Sequence, residues 1–220
     1  RYKYQLEEEK RPGEFYPVEE DQHGTYIFNS KDLCLLNKIP DLMLAGADSL
    51  KLEGRMKSVY YVGAVVRLYR AALDYIGREI AEHGTRYLES LTLPQQFMAE
   101  LPKIGSRGYT ENFFQGRPGA EEMIYEGVKV KQTHAPVGIV REIEDGVPVI
   151  EMRNPLLPGE TIEFLAKDFS DHPFRVEKII SQKGEELEKA NPGNIVKFST
   201  SPQLQTWEVN GLLRKASDER

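Results

Sequence analysis

Asp48–Arg70 reads DSLKLEGRMKSVYYVGAVVRLYR, and its hydrophobic period changes from two to about 3.6 within a few residues. Leu50 and Leu52 alternate with Ser49, Lys51 and Glu53, which predicts a strand with apolar groups on one side and ionisable groups on the other. Ser58 is placed to cap a helix. Along it Val59, Val62, Val66, Tyr69, Leu73 and Ile76 recur at three- and four-residue steps, an apolar stripe that must be buried. Strand, charged turn and helix form the repeating unit of α/β folds, where ligands bind at the C-terminal ends of the strands. Glu53, Gly54 and Arg55 occupy that position.

Working outward, GTYIFNS (24–30) predicts a short buried strand. Ser30 and Asp32 open the helical pattern KDLCLLNKIPDLMLAGA, which Pro40 breaks or restarts and Gly46 ends. Strand, helix, strand and helix with short connections indicate βα units. Two such units cannot close a barrel or cover a parallel sheet, so an N-terminal portion is expected upstream of Arg1. Residues 1–23, acidic and interrupted by prolines, suit an irregular, partly packed segment. TLPQQFMAELPKI predicts a short helix, followed by the Gly- and aromatic-rich GSRGYTENFFQGRPG. After Val128 the segments PVGIVREI, VPVIEMR, ETIEFLA, FRVEKII and NIVKFST alternate between turn signals such as Asp145-Gly146 and Pro158-Gly159. The expected fold class is therefore α/β plus all-β: the last βα units of a β/α-barrel (1–80), a linker (81–127) and a small C-terminal β-barrel (128–215).

Composition narrows the function classes. With 220 residues, 40% of them hydrophobic, the chain can bury an ordinary core. No apolar run approaches the roughly 18 residues that span a bilayer, and no signal segment opens the chain, so a cytoplasmic location without membrane contact is expected. A net charge of −6 argues against a generally basic nucleic-acid surface while leaving room for a local patch. Cys34, the sole cysteine, excludes an internal disulfide framework and any thiolate-rich metal site made by this chain alone. His23, His83, His134 and His172 are dispersed without ligand spacing, so no zinc site is assigned. Phosphate-binding glycine loops, Gly-x-Ser-x-Gly elbows and paired metalloprotease histidines are absent from the sequence.

Three groups of residues are candidates for chemistry. If Leu50 and Leu52 pack under helices, Lys51 and Glu53 face a barrel lumen, with Glu53 as proton acceptor or substrate anchor. Lys51 and Arg55 would then clamp a carboxylate or phosphate; a buried structural ion pair is the plainer alternative. Arg107, Tyr109 and Arg117 could stack on a base at the mouth of a site, or the aromatics of this stretch could simply glue two domains together. Cys34 is expected in the first turns of a helix, where the dipole favours a thiolate, although a thiol in DLCLL also suits a small core residue.

The run RPGEFYPVEEDQHGTYIFNSKDLCLLNKIPDLMLAGADSLKLEGRMKSVYYVGAVVRLYRAALD closely resembles the second half of the catalytic domain in peptidase family U-32, the collagenase-like proteases. SRGYTENFFQGRPG is similar to that family's linker, and the β segment resembles its C-terminal barrel domain. The resemblance implies a β/α-barrel whose first part lies upstream. It also implies a tRNA-modifying hydroxylase that makes 5-hydroxyuridine at the wobble position with prephenate as a required metabolite, although older naming calls these proteins peptidases. Related members suggest an iron-sulfur cluster held by four cysteines. Cys34, in NSKDLC, matches the position of one ligand, the other three lying before Arg1. This chain alone is thus expected to hold no cofactor and to be inactive. The implied partner is tRNA; an oligomer or partner subunit is also considered. A peptidase and a non-catalytic RNA- or protein-binding module are the competing readings.

Overall fold

The computed structural model describes residues 3–21, 24–26, 31–116, 130–202 and 207–217. The chain forms two compact units, Arg1–Leu35 with Ser106–Lys131 and Leu36–Gly105 with Gln132–Arg220.

In the first unit β1 (Lys3–Glu8) and β2 (Arg11–Asp21) form an antiparallel hairpin, continued by β3 (Gly24–Tyr26). Of the irregular segment expected over 1–23, the described residues 3–21 form a β-ladder instead. Backbone pairing, more than burial, defines it, since Tyr4, Leu6 and Phe15 stay exposed while Val18 is buried. The strand expected over 24–30 is described only for Gly24–Tyr26. Next, β4 (Asp32–Leu33) pairs in parallel with β5 (Tyr109–Thr110). The Asp32 amide donates to the Gly108 carbonyl at 2.8 Å and the Cys34 amide to the Thr110 carbonyl at 2.9 Å. This ladder displaces the helix start expected at Ser30 and Asp32. Cys34 therefore leaves a strand and does not lie in a helical first turn.

The second unit begins with a 3-10 turn, Leu36–Lys38, leading into α1 (Ile39–Leu44). Pro40 lies in the first turn of α1, where its missing N–H costs no intrahelical bond, and Gly46 follows with φ 86°. The strand predicted for DSLKLEG does not form: residues 47–54 carry no ladder. A strand exists by exchanging hydrogen bonds with a neighbour, and none pairs with this segment among the described residues. Among the described residues the parallel pairing is that of β4 with β5, which does not confirm the last βα units of a β/α-barrel.

Helix α2 (Val59–His83) starts at Ser58, whose hydroxyl accepts from the Tyr61 amide at 3.2 Å. Its buried face is Tyr60, Ala64, Leu68, Ala72 and Ile76, at strict four-residue steps. The predicted stripe is turned away from this face at its start: Val59, Val62 and Val66 are 61%, 42% and 48% exposed, and only Ile76 of that stripe is fully buried. Helix α3 (Gln95–Ile104) occupies the predicted TLPQQFMAELPKI segment and buries Phe97, Leu101 and Ile104, together with Glu100.

The remaining strands are β6 (His134–Glu144), β7 (Val147–Met152), β8 (Thr161–Leu165), β9 (Asp171–Ser181), β10 (Glu186–Leu187), β11 (Ile195–Ser201) and β12 (Leu212–Ala216). The sheet runs β9-β11-β7-β6-β12-β8 and returns to β9, so six strands close into a barrel with β10 appended to β9. Alternate side chains fill it, including Val137, Ile150, Met152, Ile162, Phe164, Val176, Ile179, Val196 and Leu213. Asp145 and Gly146 both have positive φ, as a tight hairpin turn requires. Gly138 is needed for a close approach: a Cβ there would lie 2.9 Å from the Glu151 carbonyl oxygen. Each predicted barrel segment corresponds to an observed strand. β10 and β12 were not expected, and β12 is the strand that closes the ring.

Candidate functional site

Helices α2 and α3 are fastened to the barrel by an ionic cluster that the sequence reading missed. Its centre is Arg214 on β12, fully buried. The guanidinium donates through Nε to Glu163 Oε2 (2.7 Å), to both carboxylate oxygens of Glu100, and to Asp171 Oδ2 (2.7 Å). Arg67 on α2 donates to Asp171 Oδ1 and to the Ser170 carbonyl, both at 2.8 Å, and to the Ala166 carbonyl at 2.6 Å. Lys103 lies 3.3 Å from both Glu100 and Asp171. Three cations thus face three carboxylates, an arrangement with no net charge and no unmet partner to recruit a ligand.

The local fields follow from this geometry. Burial alone would lower the Arg214 pKa, but hydrogen bonds and charges from Glu100, Glu163 and Asp171 raise it, so it remains a cation. Burial pushes the Asp171 carboxyl up, yet Arg214, Arg67 and Lys103 together hold it below its ordinary value. Burial raises the Tyr60 hydroxyl, which donates to the Lys103 carbonyl at 3.0 Å. His134, 3.9 Å from Glu163, is lowered by burial and then by the Arg214 charge.

Beside this cluster lies a cavity of about 740 Å³ between the first turns of α2 and the barrel. Val59, Val62, Val66, Leu165, Val209 and Leu212 give it an apolar lining, and Arg55, Lys57, Arg70 and Lys167 supply positive charge. Gly63 lets helix and strand approach, since a Cβ there would sit 2.7 Å from Leu212 Cδ1. Arg55 is the sequence-predicted residue that reaches this cavity. Lys51 and Glu53 form an ion pair at 3.4 Å, as their alternation on one side of an extended segment implies. Their side chains are 88% and 69% exposed, so the pair is not buried, and no sheet among the described residues encloses this segment.

The first unit brings Cys34, Arg107 and Tyr109 onto the short β4/β5 ladder. Arg107 pairs with the buried Asp32 at 3.1 Å, which holds the guanidinium against the ladder. The Ser106 hydroxyl accepts from the Gly108 amide and Thr110 Oγ1 from the Asn112 amide, fixing the turns on either side of Tyr109. Phe113, in the 3-10 turn Asn112–Gln115, is 69% exposed. Arg117 lies outside the described residues. Cys34 is partly exposed and contributes one thiol, and no group of three or more His, Cys, Asp or Glu among the described residues is arranged to hold a metal. An iron-sulfur cluster therefore does not fit this chain's own donor set.

A Ser-His-Asp grouping does occur in the β8–β9 turn. Ser170 Oγ donates to Asp168 Oδ1 at 2.5 Å and lies 2.8 Å from His172 Nε2. The serine sits between the other two, whereas a nucleophile needs the histidine between serine and carboxylate. The short bonds and backbone contacts of Ser170 make it a turn lock, and the Asp168 carboxyl is lowered chiefly by its hydrogen bonds from Ser170.

Residues 1–124 match the model of peptidase family U32, and residues 132–214 match that of the peptidase family U32 C-terminal domain. The chain belongs to peptidase family U32. It is similar to tRNA hydroxylation protein P1 of Bacillus subtilis, with 32% identity over 84% of this chain and 42% of that protein. It is also similar to tRNA hydroxylation protein P of Escherichia coli, with 33% identity over 98% of this chain and 46% of that protein. An uncharacterized protease of Methanocaldococcus jannaschii is 32% identical over 76% of this chain and 39% of its own length. The chain thus spans less than half the length of these relatives. Among solved structures, the C-terminal domain of a Geobacillus thermoleovorans U32 peptidase matches at 25% identity and a TM-score of 0.33, covering 37% of this chain and 91% of that domain. Among the described residues, no helix is long and apolar enough to cross a membrane.

Proposed function

We propose that the full-length protein containing this chain is a tRNA hydroxylase that converts the wobble uridine to 5-hydroxyuridine and requires prephenate. The observation that carries this reading is the likeness to proteins named for tRNA hydroxylation, which for the Escherichia coli relative extends over 98% of the chain and so through both units. Oxidising a pyrimidine ring needs a cofactor, since side chains alone cannot supply the electrons' acceptor, and the base must leave its stack to be reached. In this reading Tyr109 and Arg107 contact the extruded nucleotide, with Asp32 holding Arg107 in place. Glu53, Lys51 and Arg55 contact polar groups of the substrate or metabolite. Cys34 contributes one thiolate to an iron-sulfur centre completed by residues outside this chain.

Restoring the full-length gene carrying Cys34→Ala or Glu53→Gln to a strain that lacks it tests these roles. Both variants should fail to restore 5-hydroxyuridine while reaching wild-type protein abundance. Normal hydroxylation by both would remove these residues from the site.

A peptidase is the second reading, supported by likeness to an uncharacterized protease and to a Porphyromonas gingivalis collagenase, 30% identical over 100 residues. The Ser170 geometry argues against a nucleophile there. Gelatin left intact by purified full-length protein is the expected result, and turnover abolished by a variant of this chain would restore the peptidase reading.

A further inference from the structure

The cavity between α2 and the barrel has features that the packing does not use, and of its lining charges only Arg55 is shared with the proposed hydroxylation. At about 740 Å³ it falls in the range of small-molecule sites, roughly 300–1,000 Å³. In a chain with net charge −6, the ionisable side chains lining it are Arg55, Lys57, Arg67, Arg70, Lys167 and the single acid Glu208. Arg67 is spent inward on Asp171, and Arg70 on Asp74 at 2.5 Å. Lys57 lies over the Tyr61 ring, 4.6 Å from its centroid. Arg55 makes no ion pair or hydrogen bond with the described residues and remains available to an anion. Lys167 is 3.6 Å from Glu208 Oε2, an oxygen that is buried yet receives no hydrogen bond among the described residues. The walls are valines and leucines, which favour an apolar body over a bare inorganic ion.

We infer that this cavity binds a small amphipathic organic anion, a carboxylate, sulfonate or phosphate carried on an apolar ring system. Arg55 and Lys167 supply the charge, the α2 valines and Leu212 supply the apolar contact, and Glu208 Oε2, ion-paired with Lys167 but receiving no hydrogen bond among the described residues, accepts one from a ligand N–H or O–H. Charge complementarity selects an anion, and the mostly apolar lining selects one with an apolar body over a polyanion that needs a stripe of cations. The inference shares Arg55 with the proposed hydroxylation, but its failure is distinguishable from the failure of that reading, because binding is read on the chain itself without tRNA.

The test uses the 220-residue chain and two fluorescent probes sharing one aromatic body, 8-anilinonaphthalene-1-sulfonate and the uncharged N-phenyl-1-naphthylamine. The sulfonate should bind at one saturable site at least tenfold more tightly than the uncharged probe. Arg55→Gln with Lys167→Gln should weaken it by tenfold or more, and Val66→Trp, which fills the cavity from an exposed position, should abolish it with an unchanged melting temperature. Equal affinity for the two probes, or no response to either variant, overturns the inference. Displacement of the sulfonate by an oligouridylate but not by naphthalene-2-carboxylate would reassign the cavity to nucleic acid and overturn it as well.

Discussion

Arg214 shows how much one residue can hold. It is fully buried, and three carboxylates from α3, β8 and β9 converge on it. Replacing it with methionine leaves those carboxylates without their central cation, and loss of one partner from a buried ionic cluster costs about 3–5 kcal/mol. Urea unfolding of Arg214→Met should show that loss as a lower midpoint. Titration adds a second prediction. His134 is held neutral in the folded chain below its ordinary value of 6.5, so the unfolded chain takes up a proton first as pH falls. Stability should therefore decline as pH falls through 6.5, and His134→Gln should flatten that slope. Asp171, depressed by its cations, contributes stability that is present above its ordinary 3.8 and lost only as pH falls below it. None of this cluster is legible in sequence, because Glu100, Glu163, Asp171 and Arg214 share no spacing and meet only when the barrel closes. Cys34 was legible as a singular thiol, but its setting at the end of a strand was not, since the strand pair that captures it comes from residues more than seventy positions away.

At the level of elements, local signals succeeded where local physics decides. Ser58 was read as a cap and is one; Ser58→Ala should cost about 1 kcal/mol of stability. Alternation marked the barrel strands because one face of each must be apolar. It failed for β12, where GLLRKA places two leucines side by side and then buries an arginine. It also misled at DSLKLEG, whose alternation is genuine but has no partner strand to pair with among the described residues. On α2 two apolar faces compete, and the four-residue row through Ala64 and Ala72 is buried because small side chains allow close packing. Gly211, at the entry to β12, marks the tightest contact: a Cβ would meet Phe164 Cε2 at 2.3 Å and the Glu208 carbonyl at 2.8 Å. Gly211→Ala should destabilise the chain by about 1–3 kcal/mol through this overpacking, read in thermal unfolding.

For the whole molecule, α2, α3 and the barrel behave as one unit because the ionic cluster and the Phe97–Phe169 stack tie them together. Family membership was legible from the runs around KLEGRMKS and NSKDLC, and the matched family models cover both units. The chain spans less than half of the relatives named for tRNA hydroxylation, so the proposed activity is tested on the full-length protein. Mass spectrometry of total tRNA nucleosides from a strain lacking the full-length gene, with and without that gene restored, tests the central claim most directly. The account predicts loss of 5-hydroxyuridine and its derivatives in the deletion strain and their return on restoration. An unchanged nucleoside profile in a strain with no second gene of this family would contradict it.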